Sequence, residues 1–160
     1  MFTTRAATIA DAALITAHRR AMFASMPNPH DETLDTMSRA FEPWVRGRMV
    51  EGKYLGWITE SDGHVAGSAG LLIVDWPPHP LHPESSHRAY LLNVFVEPEF
   101  RKRGLAHSLI EQCLAEARKR GIRVVTLHSS DAGRPVYEGL GFHATSEMMY
   151  VERQPVACSL

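Results

Sequence analysis

Residues 89–121 read AYLLNVFVEPEFRKRGLAHSLIEQCLAEARKRG, and the rest of the chain is arranged around this stretch. Ala89–Val96 is an apolar run rich in β-favouring residues that passes through a short acidic turn into Arg101-Lys102-Arg103-Gly104-Leu105-Ala106. A helix starts in that basic segment and ends near Arg120, with Leu105, Leu109, Ile110, Cys113, Leu114 and Ala117 on one stripe and Gly121 as its C-cap. Three successive cations at a helix start oppose the macrodipole, which favours anions there by ~0.3–1 kcal/mol per charge. The first-turn N–H groups also have no intrahelical acceptors. One anionic ligand answers both conditions, and a helix N-terminus flanked by Arg and Lys suits phosphate. The segment is therefore expected to grip a pyrophosphate.

Downstream, Val124–His128 reads as a short interior strand, and Pro135 is well placed near the start of a short helix at about Ala132–Leu140 that Gly141 ends. Phe142–Val151 is expected as a last strand and Gln154–Leu160 as a tail. Upstream, Phe2–Thr8 is β-compatible, and Asp11 is placed to cap a helix carrying Leu14, Ile15, Ala17, Ala21 and Met22. That helix stops before Pro27 and Pro29. Asp31 opens a second helix through Leu34, Met37, Phe41 and Val45 to about Glu51, which Pro43 is expected to bend or break in two. Tyr54–Thr59 and Val65–Val74 flank an Asp62-Gly63 hairpin signal, the second strand apolar enough to be buried on both faces. Asp75–Arg88 is a loop with four prolines. The order β-α-α-β-β-β-α-β-α-β, without repeats or a linker, predicts one α/β (α+β) domain over residues 1–160, a mixed central sheet flanked by helices.

Composition narrows the function classes. With 160 residues, 44% hydrophobic and 22% charged, the chain can bury a substantial core. A formal net charge of -1 argues against a nucleic-acid binder, so the 101–103 cluster calls for a local anion. Cys113 and Cys158 imply no disulfide framework. No apolar run is long enough for a membrane span, and the N-terminus lacks a secretory pattern, so a cytoplasmic protein with no membrane partner is expected.

The basic loop lacks both the G-x-x-x-x-G-K-[ST] of a triphosphate loop and the G-x-G-x-x-G of a dinucleotide fold. Its pattern is Arg-x-x-Gly-x-Ala, with Gly104 and Ala106 small enough for backbone N–H groups to approach an anion. Together with the strand-E-P-E-F-R-K-R-G-L-A-helix unit and the segment SDAGRPVYEGLGF (Ser130–Phe142), the sequence resembles the GNAT superfamily of acetyl-CoA-dependent N-acetyltransferases. The second segment in that family reads N-x-x-A-x-x-x-Y-x-x-x-G-F. Tyr137, Gly141 and Phe142 fit it, while Ser130 and Gly133 stand where Asn and Ala are usual.

The resemblance implies acetyl-CoA as acyl donor cosubstrate and a GNAT fold in which a splayed strand pair holds the CoA arm. The backbone of Val94, Phe95 and Val96 would bind pantetheine, and a splay from Val124–His128 would admit it. The N–H groups of Arg101, Lys102, Arg103, Gly104, Leu105, Ala106 and His107 would hold the pyrophosphate, with Arg134 reaching nucleotide phosphates and Ser130 near the pantetheine. Thioester aminolysis needs a neutral amine, an oxyanion donor, for which Val96 or a neighbour is placed, and a proton for the departing thiolate. Tyr137, with a reference pKa of ~10, suits that last role. For the base, Asn93 stands where many relatives carry a carboxylate, leaving Glu97, His128, Asp75, Glu84, His87 or a water chain.

His79, His82 and His87 lack the fixed spacing of a metal site and read as a solvated or substrate-contacting loop. His128-Ser129-Ser130-Asp131 holds triad residue types without triad geometry. The expectation is direct acetyl transfer to a small-molecule or peptide amine, with no metal and no nucleic acid. Ala21–Asn28 and Asp75–Arg88 would shape the acceptor pocket, and a homodimer would follow family habit. A non-catalytic CoA- or acyl-CoA-binding sensor of the same fold is the alternative, kept open by Asn93 and Ser130.

Overall fold

The computed structural model describes residues 1–152, so the tail at Gln154–Leu160 and Cys158 lie outside the described residues. In chain order the elements are β1 (Phe2–Ala6), α1 (Ala12–Ala24), α2 (Asp31–Val50), β2 (Tyr54–Ser61), β3 (His64–Asp75), β4 (His87–Val96), α3 (Leu105–Lys119), β5 (Val125–Thr126) and α4 (Arg134–Gly139). The strands form one mixed sheet in the order β1-β2-β3-β4-β5. The first four pair antiparallel, and β5 lies parallel to β4.

β3 is covered on both faces, which explains its near-continuous apolar run. Ala69 and Leu71 face Leu109, Ile110, Cys113 and Ala117 of α3, joined by Val136 and Tyr137 of α4 and by Leu140 just past its end. On the other face Tyr54, Leu72 and Leu92 meet Ala12 and Ile15 of α1 and Phe41 and Val45 of α2. The β2–β3 hairpin turns at Asp62 and Gly63, with φ of 51° and 79°, the two left-handed residues a type I′ turn requires.

Three expectations need correction. Phe142–Val151 forms no strand. Met148, Met149, Tyr150 and Val151 are exposed, and β-favouring residues without a neighbouring edge have nothing to pair with. The strand at Val124–His128 contracts to Val125–Thr126. α2 runs unbroken through Pro43, because Phe41 and Val45 on either side of it are buried and offset the missing hydrogen bond. Asp11 holds the N-cap position of α1 as expected, but its side chain makes no cap bond to that helix. Asp11 closes a 3₁₀ turn (Ile9–Asp11) and accepts from the Thr8 N–H at 2.7 Å and the Thr8 hydroxyl at 3.1 Å.

Candidate active site

β4 carries the site because it changes neighbours along its length. It pairs with β5 only at Ala89–Val125 and Tyr90–Thr126, so Leu91–Val96 continues with that edge unpaired. Against β3 the register slips between Ser68 and Gly70, and Asn93 sits at the slip with φ of 55°. Val94 then packs toward the α3 face, while Phe95 is buried beside His18 of α1.

Past β4, a 3₁₀ turn (Pro98–Phe100) leads to Lys102 at φ 61° and Gly104 at φ 79°, and Gly104 is the N-cap of α3. The first intrahelical bond is Ser108 N–H to the Gly104 carbonyl at 3.1 Å, and no side chain caps the helix. The N–H groups of Leu105, Ala106 and His107 are thus free of intrahelical acceptors. The Arg101 N–H already donates to the Pro98 carbonyl at 3.3 Å. Two of the three cations fold back: Arg101 Nε donates to the Val96 carbonyl at 3.0 Å and Arg103 Nη2 to the Glu99 carbonyl at 3.1 Å. Lys102 is exposed. His107 lies 3.4 Å from Glu111.

The second motif is brought alongside by α4. Ser130 Oγ accepts from the Gly133 N–H at 3.1 Å, so this hydroxyl serves the start of α4. Arg134 is exposed and turned along its own helix toward Glu138, at 3.1 Å. The Tyr137 ring packs against the α3 core and edge-on to Phe142, with centroids 5.9 Å apart. A Cβ on Gly133 would stand 3.2 Å from this ring, a tight but adjustable approach. Burial raises the Tyr137 hydroxyl above its ordinary pKa, so it keeps its proton at neutral pH.

Residues 15–142 match the acetyltransferase (GNAT) family. The chain belongs to that family. A GCN5-related N-acetyltransferase from Ralstonia eutropha JMP134 is 36% identical, superposes with a TM-score of 0.88, and the match covers 98% of this chain and 99% of that one. A predicted acetyltransferase from Clostridium acetobutylicum, solved with acetyl-CoA, shares the fold at 23% identity and a TM-score of 0.84, over 95% and 96% of the two chains. Human N-acetyltransferase 8 is 30% identical over 97 residues, which are 59% of this chain and 40% of that protein.

Several polar residues of this GNAT chain escaped the sequence reading. Arg19 Nη1 donates to Asn93 Oδ1 at 2.8 Å, and Asn93 Nδ2 donates to the Tyr54 hydroxyl at 3.1 Å. Tyr90 hydrogen-bonds His128 through its hydroxyl and the ring Nδ1. His18 is buried, its Nδ1 2.7 Å from Ser68 Oγ and its Nε2 3.3 Å from Glu97 Oε1. The one available signal was Arg19 four residues after Ile15, a charge on the buried stripe of α1.

The base candidates separate. Glu97 is turned to His18, and Asp75 contacts Lys53 at 3.4 Å and His87 at 3.6 Å. His128 stands beside Tyr90 where β4 and β5 part. The proline-rich loop is less solvated than expected: His82 is buried, accepts from Arg88 Nε at 2.9 Å and turns Nδ1 to the Ser85 carbonyl at 3.0 Å. A cavity of about 450 Å³ under Ala6–Ile9 shares only Tyr54 with these groups.

Proposed function

We propose that the protein transfers an acetyl group from acetyl-CoA to an amine by direct attack, without an acyl-enzyme intermediate. The observation that carries this reading is the parting of β4 from β5 beside an α3 start whose N–H groups have no helical acceptor. Those groups, from Lys102 to His107, fit a pyrophosphate, because Lys102 and Gly104 in left-handed conformations turn successive amides outward. Lys102 supplies free charge, while Arg101 and Arg103 brace the loop through Val96 and Glu99 and add to its positive field. Arg134 reaches the nucleotide phosphates by releasing Glu138, and Ser130 borders the pantetheine.

Bound acetyl-CoA supplies a thioester carbonyl and a thiolate leaving group. The unpaired edge of Val94–Val96 orients it, and a backbone N–H there takes the oxyanion. As the amine nitrogen bonds to the carbonyl carbon and the carbon–sulfur bond breaks, the Tyr137 hydroxyl gives its proton to sulfur. The proton lost from the attacking nitrogen leaves through the Tyr90–His128 pair to solvent and returns to Tyr137. Burial argues against Cys113 as an acyl carrier: it is fully buried, and burial pushes its thiol up to about 12.

Thiol release across a broad amine panel tests this directly. Tyr137→Phe is expected to lower kcat about 10²-fold with little change in the acetyl-CoA KM. Unchanged turnover removes Tyr137 from the acid role. Labelled acetyl retained on Cys113 overturns direct transfer, and tight CoA binding with no thiol released favours the sensor reading.

A further inference from the structure

Arg19 is a partly buried cation with no counter-ion among the described residues. Its guanidinium lies between the rings of Phe23 and Phe41, 4.9 Å and 4.8 Å from their centroids. Nη1 is bound to a neutral amide oxygen, that of Asn93, and Nε is buried without an acceptor. Nη2 makes no hydrogen bond within the described residues. The neighbouring side chains with which it interacts through charge are those of Tyr54 and Tyr90, neither of them a carboxylate. Arg20, one residue on and facing solvent, has two: Asp35 at 2.8 Å and Asp31 at 3.3 Å.

A desolvated guanidinium without an anion is costly, and an apolar side chain would fill the same space at lower cost. This one is nevertheless held in place, since Tyr54 fixes Asn93 and Asn93 fixes Arg19. Its place is beside the β4 slip, where β4 has already left β5. Tyr90 lies within electrostatic reach of both Arg19 and Tyr137, which puts one side chain between the cation and the proposed acid. Asn93, where a carboxylate was looked for, thus serves as the support of a cation.

We infer that the acceptor carries a carboxylate as well as its amine, and that Arg19 receives this carboxylate on its free Nη edge. The inference rests on the acetyl-transfer reading. A guanidinium edge matches a planar carboxylate through paired donors. A single cation matches a monoanion better than a phosphate dianion, and Arg88 is committed to His82 and to the Trp76 face. Arg19 also repels an ammonium group, so the acceptor is bifunctional, with its amine turned toward Tyr137 and its carboxylate toward α1.

The test uses amino acids of increasing chain length, each as free acid, carboxamide and decarboxylated amine. Thiol release gives kcat/KM, and the Arg19 Nε–H NMR signal reports binding with CoA present. The wild type is expected to prefer acid over amide about 30-fold or more, the scale of one desolvated charge pair. Arg19→Met should collapse that ratio toward unity, and Arg19→Lys should recover part of it. CoA affinity of each variant, read by calorimetry, certifies folding. Acids and amides turned over alike would overturn the anchor while leaving acetyl transfer standing. Acids that shift the Arg19 signal without thiol release would support the anchor and remove the transfer reading. The absence of both binding and turnover for every acid would overturn the anchor.

Discussion

Gly70 is where a single methyl group should damage both stability and the acceptor side. It lies mid-strand in β3, opposite Gly56 of β2 and Leu92 of β4. A Cβ there would stand 2.2 Å from the Tyr54 hydroxyl oxygen and 2.5 Å from Cζ. The Tyr54 ring cannot simply retreat. It is 2% exposed, packed against Ala12, Ile15, Phe41 and Val45, and tied at its hydroxyl to Asn93. Overpacking of this kind costs about 1–3 kcal/mol. Losing the Asn93–Tyr54 hydrogen bond adds about 1 kcal/mol. Without a clash, Gly→Ala would stabilise by ~0.4–1 kcal/mol through the unfolded chain, so the sign of the effect is informative. The net expectation for Gly70→Ala is a loss of about 2–3 kcal/mol, or about 4–12 °C in Tm for a chain of this size.

Urea and thermal unfolding of Gly70→Ala, Tyr54→Phe and the double variant measure this as a cycle. Tyr54→Phe alone should cost about 1–2 kcal/mol, because Asn93 Nδ2 loses its acceptor. The double variant should lose less than the sum of the singles by about 1 kcal/mol, since the nearest clashing atom is gone. A Gly70→Ala protein as stable as the parent, or strict additivity in the cycle, would refute the packing argument. Gly70→Ala should also reduce discrimination for acidic acceptors, because the one hydrogen bond on the Arg19 side chain among the described residues runs to Asn93, which Tyr54 holds.

Gly47, inside α2 with nothing within 4 Å of a Cβ, offers the opposite sign: Gly47→Ala should stabilise by about 0.5–1 kcal/mol in thermal unfolding. Gly104→Ala meets no atom either, but φ of 79° strains it by about 1 kcal/mol, so calorimetry should show weaker CoA binding with only a small Tm change. Arg5 grips Asp11 through two bonds of 2.9 Å and holds its carboxyl down at about 2. A depressed carboxyl gives stability that is present above its unfolded value of ~3.9 and lost as pH falls through about 2. With the Arg5 side chain 44% exposed, the pair contributes about 1 kcal/mol after screening, so Asp11→Asn should lower Tm at pH 7 and flatten its fall between pH 5 and 2.

What the sequence made legible was local. The α3 stripe, its basic start, the Asp62-Gly63 turn and the doubly covered β3 all depend on residues a few positions apart. Phe142–Val151 failed because a strand is decided by the edge it meets, and β5 supplies two residues. Pro43 misled because its cost is local while the burial that offsets it comes from α1 and the sheet. The same division runs through the site. The amides proposed to hold phosphate come from one helix start, whereas Arg19–Asn93, His18–Ser68 and Tyr54–Asn93 join positions 74, 50 and 39 residues apart.

Those distant contacts give α1 a specific task. Two adjacent residues on it brace β4 at and beyond its slip: Arg19 takes Asn93, while His18 touches Ser68 of β3, Glu97 and the Phe95 ring. Burial depresses the pKa of His18, with Glu97 opposing it, so the imidazole is neutral at physiological pH and acts as a packed hydrogen-bonding strut. Gly67, beside that strut, leaves room for β4, since a Cβ would meet the Phe95 carbonyl at 2.6 Å. The course of Val94–Val96, which sets where a thioester carbonyl would lie, is therefore fixed from the α1 face. The α3 face carries the basic helix start and packs Tyr137. On the proposed reading, donor and acceptor sides would meet at Asn93, which would leave the helices free to diverge in acceptor chemistry while the strand kept the acetyl group in one place.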